Sequence, residues 1–493
     1  MFLLQKNERG IIMKAPFSAY LAGIAPGLKE LAALLRKRYG YVSVLSTDSA
    51  GFSVSISQRA KSVTRKTMTT ERGTVVRVYR NGLYAESAFT GFDPSKAAEK
   101  SESIVRELDA QLRLLESAGI RPYETGILPD EPRTVFAEME AGRLPEEEDI
   151  AALVRNLSAV SDQGMEQGKA QGLKVIDCMV RASSTHVCKL FLTENQDLRQ
   201  SYVYSEGSVA ALVAGEERTE FAHTSLSGRK GPELFDAMAE KIPEALRIAK
   251  DLISAERVVP GEYDVITAPE VTGLIAHEAF GHGVEMDMFV KGRALGADYI
   301  GKRVGSGLVT MHEGALCAED VTSYAFDDEG TPAGDVTEID RGILRAGICD
   351  ALSALRLGVK PTGNGKRETF SHKVYTRMTN TLFDSGTSTL EEMIASIDKG
   401  YLLEGMQSGM EDPKHWGIQC ILDRGYEIVG GKLTGKVVSP LVMTGYVPDL
   451  LGSVSMVSSD REVFGAGACG KGHKEWVKVA DGGPYLKCRA RLG

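Results

Sequence analysis

The first 256 residues alternate between two hydrophobic patterns, a helical one with apolar residues three and four apart and a strand-like one of period two. The helical pattern covers about 18–39, 94–118, 147–160 and 232–256. Short β-branched or aromatic segments lie between these helices, at 41–47, 50–57, 74–79, 82–89 and 172–225. Because helix, strands and helix occur twice, we predict an N-terminal α+β lobe over 1–256. It should hold an antiparallel sheet and two halves of about 14–122 and 134–256.

Turn and capping signals support several of these boundaries. Asn81-Gly82 is typical of a tight hairpin turn, because both residues tolerate positive φ. Asp93 is expected to cap the helix that follows it, and Gly119 to end that helix.

The pattern changes after Pro260-Gly261, where the chain becomes richer in glycine and short strands, above all beyond residue 400. This predicts a β-rich C-terminal lobe over 257–493 with few long helices. A chain of 493 residues exceeds the size at which one hydrophobic core keeps growing. The predicted fold class is therefore α+β, in two or more lobes.

Composition narrows the function classes. The chain has a formal net charge of -9 and lacks the basic surface that binding to a phosphate backbone requires, so we expect no nucleic-acid partner. No run of about 18 apolar residues is present, so we expect no membrane span. Seven cysteines without an apparent secretory signal favour a reducing compartment, and the cytoplasm is the expected location.

The segment 267–289, TAPEVTGLIAHEAFGHGVEMDMF, carries the clearest chemical signal. Thr267 and Glu270 have the spacing of a capping box, which predicts a helix from about residue 268. Within it, His277 and His282 are five residues apart, and five steps of a regular helix leave the two side chains about 140° apart. We therefore expect either a π-type bulge between the histidines or an end of the helix at Gly281.

These residue types fit a zinc hydrolase. Two neutral imidazoles and a third protein ligand hold Zn²⁺ and leave one position for water. Glu278 is next to a ligand histidine, so it is the candidate general base for that water. The alternative interpretation is a buried helix with two incidental histidines.

Spacing alone leaves the third ligand open. Glu285 and Asp287 follow the second histidine closely, and Cys469 lies in the glycine-rich segment 465–472 near the carboxy end. The cysteine is equally well explained as a small buried residue. The remaining candidates are four histidines that are distant in the sequence: His312, His372, His415 and His473.

The motif HEAFGH (277–282) resembles the TldD/PmbA metallopeptidases when it is taken together with three further segments. These are TGNGKRE (362–368), TRMTNT (376–381) with 389–397, and GACGKG (467–472). The resemblance implies a zinc peptidase whose ligands are His277, His282 and Cys469, with Glu278 as base. It also implies action on extended or unfolded peptides, and a homodimer or a heterodimer with a paralogous subunit.

Two further residues and other functions remain to be weighed. Arg377 and Asn380 are candidate substrate-binding residues, and a structural role is an equal alternative for both. A non-catalytic peptide-binding subunit with a structural metal is the main alternative function. A structural zinc site is closed by four protein ligands and needs no adjacent base, so Glu278 favours hydrolysis. A zinc amidase acting on small molecules also stays open.

Overall fold

The structure is a computed structural model, and it describes residues 6–7, 10–11, 13–118, 125–471 and 475–493. Gly119 and His473 therefore lie outside the described residues. The α-helices are α1 Ala19–Arg36, α2 Ala97–Ser117, α3 Ile150–Ala170, α4 Ile242–Ser254, α5 Pro269–Ala276, α6 Met286–Val290, α7 Ala351–Leu357, α8 Leu390–Ala395 and α9 Val447–Gly452. Four short 3-10 helices cover Pro94–Lys96, Pro232–Lys241, His282–Val284 and Leu295–Asp298.

The N-terminal part is built on one sheet of eight described strands in the order β12-β11-β10-β4-β6-β7, with β5 beside β4 and β8 beside β11. All its pairs are antiparallel except β8 with β11. The strands up to residue 228 are β1 Lys6–Asn7, β2 Gly10–Ile11, β3 Met13–Lys14, β4 Tyr41–Ile56, β5 Lys61–Thr64, β6 Arg72–Arg80, β7 Leu83–Phe89, β8 Arg133–Glu138, β9 Glu140–Ala141, β10 Lys174–Leu192, β11 Gln196–Ala214 and β12 Thr219–Gly228.

The two sets of helix, strands and helix share this one sheet. Helices α1 and α2 bury apolar residues such as Leu28 and Leu108 against one end of it, and α3 and α4 bury Leu157 and Leu246 against the other. The α+β class predicted from the sequence is confirmed, since helices cover an antiparallel sheet.

Several local predictions are confirmed and three are corrected. Asn81 and Gly82 have positive φ as expected of the hairpin turn, and the Asp93 side chain accepts from the Ser95 N–H. The strands predicted at 41–47 and 50–57 form the single strand β4, because β10 pairs with it continuously through the polar residues between them. The helix predicted over 232–256 changes from 3-10 to α at Ile242, next to Pro243. Helix α3 runs ten residues beyond its predicted end at 160.

The C-terminal part is built on a sheet of eleven described strands that centres on β27, which pairs with β13, β19, β23 and β24. The strands after residue 260 are β13 Gly261–Thr267, β14 Met311–Glu313, β15 Val336–Asp340, β16 Ile343–Leu344, β17 Gly365–Lys366, β18 Tyr375–Thr376, β19 Asn380–Phe383, β20 Lys399–Asp412, β21 Gly417–Val429, β22 Lys432–Val438, β23 Leu441–Tyr446, β24 Met456–Phe464, β25 Ala468–Lys471, β26 Glu475–Lys478 and β27 Ala480–Leu492. The predicted lobe boundary at 256/257 falls between the two large sheets and stays a prediction.

Helix α5 lies on this second sheet and contacts β27 and β20. Its predicted apolar face is buried, with Val271, Leu274 and Ile275 at 5% exposure or less. The helix is thereby fixed at the centre of the C-terminal core. Across the described residues, no helix is both long enough and apolar enough to cross a membrane.

Candidate metal centre

Helix α5 continues directly into a π turn, and this turn decides where the two histidines lie. The turn covers His277–Gly281, and the backbone N–H of His282 donates to the carbonyl of His277. A hydrogen bond between residues five apart widens the turn, so residues at that spacing come to one side of it. The two imidazole rings are 5.1 Å apart between centroids and nearly perpendicular, at 89°. Of the two alternatives predicted for the odd spacing, the π turn is confirmed.

The side chain of Met378 packs closely on Gly281 in the π turn, a contact that the sequence did not indicate. Its φ of -60° is ordinary for any residue, so conformational freedom is not what the position needs. A Cβ at Gly281 would lie 2.1 Å from the sulfur of Met378. A larger residue at this position would therefore require the buried Met378 side chain to shift.

The predicted capping box at the start of α5 is wrong. The N-cap residue is Ala268, and the Thr267 hydroxyl lies 2.7 Å from that of Thr272. Glu270 does not bond back to the helix start, because its Oε1 accepts from the N–H of Gly405 in β20, 2.9 Å away. Glu270 thus joins α5 to the neighbouring strand.

Cys469 meets the two histidines from the opposite end of the chain. Its Sγ lies 3.1 Å from Nε2 of His282. One ligand atom from each of His277, His282 and Cys469 lies within 4.8 Å of the others, and in the described part of the chain this is the group placed to hold a metal. The strand β25 carries Cys469 and pairs with β26.

The other candidate third ligands have different partners. Glu285 Oε2 lies 3.0 Å from Nδ1 of His282, on the ring nitrogen other than the one facing the cysteine. Asp287 accepts from Lys291 and Lys471. Three distant histidines lie within 3 Å of carboxylates near them: His312 of Asp335, His372 of Glu368 and His415 of Asp412. His473 lies outside the described residues.

The three grouped side chains polarise one another. Burial raises the pKa of the Cys469 thiol, but His282 and His277 outweigh burial and hold the pKa well below its ordinary value. Burial lowers the pKa of His277, and the adjacent sulfur reverses this and raises the pKa to about 9. A lowered pKa favours the thiolate, which is the form of cysteine that binds metal.

Each histidine also has a carboxylate near its Nδ1 atom. Glu285 bonds His282, and Lys471 holds that carboxylate from 3.0 Å. Burial raises the pKa of Glu285, but Lys471 and His282 outweigh burial and lower the pKa to about 2. Asp481 Oδ2 lies 3.8 Å from Nδ1 of His277. A carboxylate behind a ligand histidine fixes its tautomer and its ring orientation.

Glu278 occupies the turn next to His277 and is 7% exposed. Its side chain lies against Gly409 of β20, where a Cβ would come within 2.8 Å of Oε1 and 2.4 Å of Cγ. The missing side chain at Gly409 thus makes room for the carboxylate. Beyond Leu403, β20 pairs with β21 and no longer with β13 in the described pairings, so its segment 404–412 has one free edge.

Arg377 and Asn380 are both buried, at 1% and 0% exposure. Arg377 donates through Nη2 to the Cys469 carbonyl at 2.7 Å and through Nη1 to the Glu475 carbonyl at 2.8 Å. Asn380 Nδ2 donates to the carbonyls of Gly314 and Ala318. These contacts favour the structural interpretation of both residues, and a substrate contact stays a prediction.

Three residues near the group were not found by sequence reasoning: Gly409, Glu411 and Asp481. Both carboxylate oxygens of Glu411 are buried without a hydrogen-bond partner in the described structure, and burial raises its pKa to about 9. Asp481 and Glu411 belong to no recognisable motif. Each lies on a strand that pairs with a segment distant in the sequence. Lys471 could have been found from the sequence, because it lies two residues after Cys469 in the GACGKG segment.

The donor set fits zinc. Two imidazoles and one thiolate are ligands that zinc takes in sites that keep a further position free. Nδ1 of His277 and Oδ1 of Asp481 are both buried, and neither has a hydrogen-bond partner in the described structure. Such atoms cost free energy unless something satisfies them, which fits a site that a ligand completes.

Comparison with known proteins agrees with the resemblance inferred from the motifs. Residues 260–490 match the family model described as PmbA/TldA metallopeptidase C-terminal domain. A Buchnera aphidicola protein named metalloprotease TldD homolog is 34% identical over 304 residues, 59% of this chain and 61% of that protein. A Saccharolobus solfataricus protein named zinc metalloprotease TldD homolog is 30% identical over 46% of this chain and 51% of its own length. The matches thus span about three fifths or less of these relatives.

Solved structures share the fold across nearly the whole chain. TldE from Thermococcus kodakarensis has a TM-score of 0.73 at 16% identity, over 95% of this chain and 100% of its own. A Thermotoga maritima protein titled a putative modulator of a DNA gyrase has a TM-score of 0.71 at 18% identity, with the same coverage. At these identities the likeness establishes the fold alone.

Proposed function

We propose that this chain, whose residues 260–490 match the family model described as PmbA/TldA metallopeptidase C-terminal domain, is a zinc-dependent peptidase acting on extended or unfolded peptides. The observation that carries the proposal is the convergence of His277, His282 and Cys469 on one point, with Glu278 on the same turn. We propose these three as the zinc ligands. Held by these residues, zinc would supply Lewis-acid chemistry, which makes a water molecule nucleophilic near neutral pH.

Glu278 is the general base in this proposal. Its side chain packs against Gly409 and fills the space that a larger residue there would occupy. A carboxylate fixed beside the reacting centre takes the proton of the attacking water and passes it to the leaving amine. Glu285 and Asp481 orient the two ligand histidines, and Arg377 holds the cysteine strand through its carbonyl.

An extended substrate fits the free edge of β20. Past Gly405, whose N–H donates to Glu270, the segment 406–412 has no strand partner opposite β21 in the described pairings, and it runs past Gly409 and thus past the Glu278 carboxylate. Extended peptides bind such edges through main-chain hydrogen bonds, which are indifferent to sequence. The alternative, a peptide-binding subunit with a structural metal, uses the same edge but gives Glu278 no role.

Location, assembly and the lobe boundary complete the proposal. All seven cysteines are unpaired, which supports a reducing compartment such as the cytoplasm. We propose a homodimer or a heterodimer with a paralogous subunit, on the strength of the family resemblance, and no nucleic-acid or membrane partner. The lobes would divide at 256/257, between the two large sheets.

The first test is metal content by mass spectrometry on the wild type and Cys469→Ala, together with hydrolysis of an unfolded peptide mixture. We expect about one zinc per chain in the wild type and loss of both zinc and hydrolysis in the variant. Cys488→Ala is the matched control, since Cys488 is also buried but lies on β27 opposite β13. Stoichiometric zinc in Cys469→Ala would reject this ligand set.

The second test separates catalysis from metal binding. Glu278→Gln should keep its zinc and lose hydrolysis by about 10²- to 10⁴-fold, because only the proton acceptor is removed. Wild-type turnover in this variant would reject the mechanism. Zinc without hydrolysis in the wild type would favour the peptide-binding alternative.

A further inference from the structure

A cavity of about 70 Å³ lies between the N-terminal sheet and the C-terminal half of the chain, and it is partly open to solvent. On the sheet side it is lined by Ser49 of β4, Val187 of β10 and Tyr202 of β11. These three residues lie opposite one another in register and therefore share one face of the sheet. The other side is formed by residues within the segments 321–328, 366–368 and 476–478. The three candidate metal ligands do not line this cavity.

Two buried hydroxyl groups in the cavity lack partners. Ser49 and Tyr202 are 5% and 7% exposed, and neither side-chain hydroxyl has a hydrogen-bond partner in the described structure. Tyr324 also lines the cavity, but its hydroxyl donates to the carbonyl of Gly363 at 2.8 Å. A buried hydroxyl without a partner costs free energy, so two of them in one cavity indicate a polar occupant.

Two charged groups of opposite sign in the same cavity lack counter-charges. Oε2 of Glu71 accepts from the Phe370 N–H at 2.8 Å, and Oε1 has no partner in the described structure. Nζ of Lys366 donates to the carbonyls of Met378 and Lys478, at 3.0 and 2.6 Å. An ammonium group has three N–H donors, so one of them remains. Within the described part of the chain, neither charge forms an ion pair, either with the other or with any further residue.

The other charged side chains of the cavity differ from these two. Asp327 accepts from three backbone N–H groups, at 2.8 to 2.9 Å. The rest have an oppositely charged or ionisable neighbour: Lys189 has Asp328, Arg367 has Glu86, Lys478 has Glu206 and Glu368 has His372. Burial raises the pKa of Glu71 to about 7 and lowers the pKa of Lys366 to about 7, as expected of charges removed from water without a partner.

We propose that this cavity is a binding site for a free α-amino acid with a small side chain. The α-ammonium group of the ligand pairs with Glu71 and its α-carboxylate pairs with Lys366. The hydroxyls of Ser49 and Tyr202 form further hydrogen bonds with the same two groups. One zwitterion thus supplies both missing charges, whereas a simple anion or cation supplies one of them, and water supplies neither.

The volume restricts the ligand to a small amino acid. One water position needs about 10–15 Å³ of such space, so the cavity has room for about five to seven of them. Glycine, alanine and serine have about that many non-hydrogen atoms. The inference goes beyond the proposed peptidase function and is independent of it, because the site does not include the metal ligands.

Isothermal titration calorimetry with L-alanine tests the site. Acetate and methylammonium are the comparison ligands, since each has one of the two charges, and L-leucine tests the size limit. We expect L-alanine to bind at least about tenfold more tightly than any of the three, because it forms both charge-assisted contacts and fits the volume. Absence of L-alanine binding, or equal affinity for acetate, methylammonium or L-leucine, would overturn the inference.

Two variants assign the binding to this cavity. Glu71→Gln should weaken L-alanine binding about tenfold, and Tyr202→Phe about fivefold, because each removes one contact with the ligand. Tyr202→Phe preserves the shape of the side chain, which keeps the test valid if Glu71→Gln fails to fold. Tyr263→Phe is the matched control, because Tyr263 lies on β13 outside the cavity and its hydroxyl donates to the Val259 carbonyl. Unchanged affinity in both cavity variants would overturn the assignment.

A last control separates this site from the metal centre, because the nitrogen and oxygen atoms of an amino acid also bind zinc. The titration is repeated with Cys469→Ala, in which L-alanine should bind with unchanged affinity. Binding that is lost in Cys469→Ala but retained in Glu71→Gln would place the amino acid on the metal and overturn the inference. Absence of zinc from the wild type would count against the proposed function and would leave the result for the cavity in force.

Discussion

Two clusters of buried charge in this protein differ in how completely their groups are paired. The first, which we call the inter-sheet cluster, consists of Arg77, Glu86, Glu329 and Arg367. Arg77 pairs with Glu86 at 2.6 Å and also with Glu329, and Arg367 pairs with Glu86 at 2.6 Å. Each charge there meets an opposite charge, and one buried atom, Nε of Arg367, lacks a hydrogen-bond partner in the described structure. The cluster joins strands β6 and β7 to segments of the C-terminal half.

The second cluster is the candidate metal centre, where pairing is incomplete. Buried atoms of His277, Asp481 and Glu411 lack hydrogen-bond partners in the described structure. A satisfied buried network rigidifies a fold, whereas an unsatisfied one is costly unless a ligand completes it. The two clusters thus differ in degree: one buried atom lacks a hydrogen-bond partner in the first, against four among His277, Asp481 and Glu411 in the second.

The largest expected effect is a loss of stability when a charge of the inter-sheet cluster is removed. Arg77→Met removes the one cation shared by Glu86 and Glu329 and should lower the free energy of unfolding by about 3–5 kcal/mol, because it leaves buried charge uncompensated. Denaturant unfolding measures the loss. Zinc content of the folded fraction should be unchanged, and a selective loss of zinc would contradict the separation of the two clusters.

The next effect should appear only at the metal centre. Glu285→Gln keeps the shape of the side chain but removes the charge behind His282, and should weaken zinc binding by about 10- to 100-fold. Competition with a chelator of known affinity measures this. Glu392→Gln, which alters a carboxylate in the capping box of α8, is the control. Equal zinc affinities in wild type and Glu285→Gln would show that His282 needs no positioning carboxylate.

Acidification should weaken the inter-sheet cluster through Glu86. Burial raises the pKa of Glu86, but Arg77 and Arg367 lower it to about 2 from its ordinary 4.5. A folded-state pKa below the unfolded value gives stability that is present above about pH 4.5 and is lost as the pH falls toward 2. Through this group, lowering the pH from 7 to 3 should reduce the free energy of unfolding by roughly 2 kcal/mol. The Glu86→Gln variant should lack that part of the pH dependence in chemical unfolding.

The smallest effect concerns the longer contact behind His277. Asp481→Asn should weaken zinc binding by about tenfold, less than Glu285→Gln, because 3.8 Å exceeds a hydrogen bond and the bound state must draw the two groups together. The same chelator competition checks this. A larger loss than in Glu285→Gln would reverse the order of the two positioning carboxylates.

Much of the local structure followed from the sequence, because it depends on neighbouring residues. Periodicity located the helices and strands of the N-terminal part, and Asn81-Gly82 and Asp93 marked a turn and a cap. The spacing of His277 and His282 required an unusual turn, and the structure has one. The capping box failed because Glu270 bonds to β20 instead, a partner that is 135 residues away along the chain.

Tertiary structure decided the rest, because the groups concerned meet only when distant strands pair. The packing of α5 on β27 brings Asp481 beside His277, and β20 brings Gly409 to Glu278 and Gly405 to Asp423. No local pattern encodes such contacts, since a strand's partner depends on the whole sheet. By itself the sequence determined which residues have the chemistry for a metal site. The fold determined which of them meet, and which charges remain for a ligand to complete.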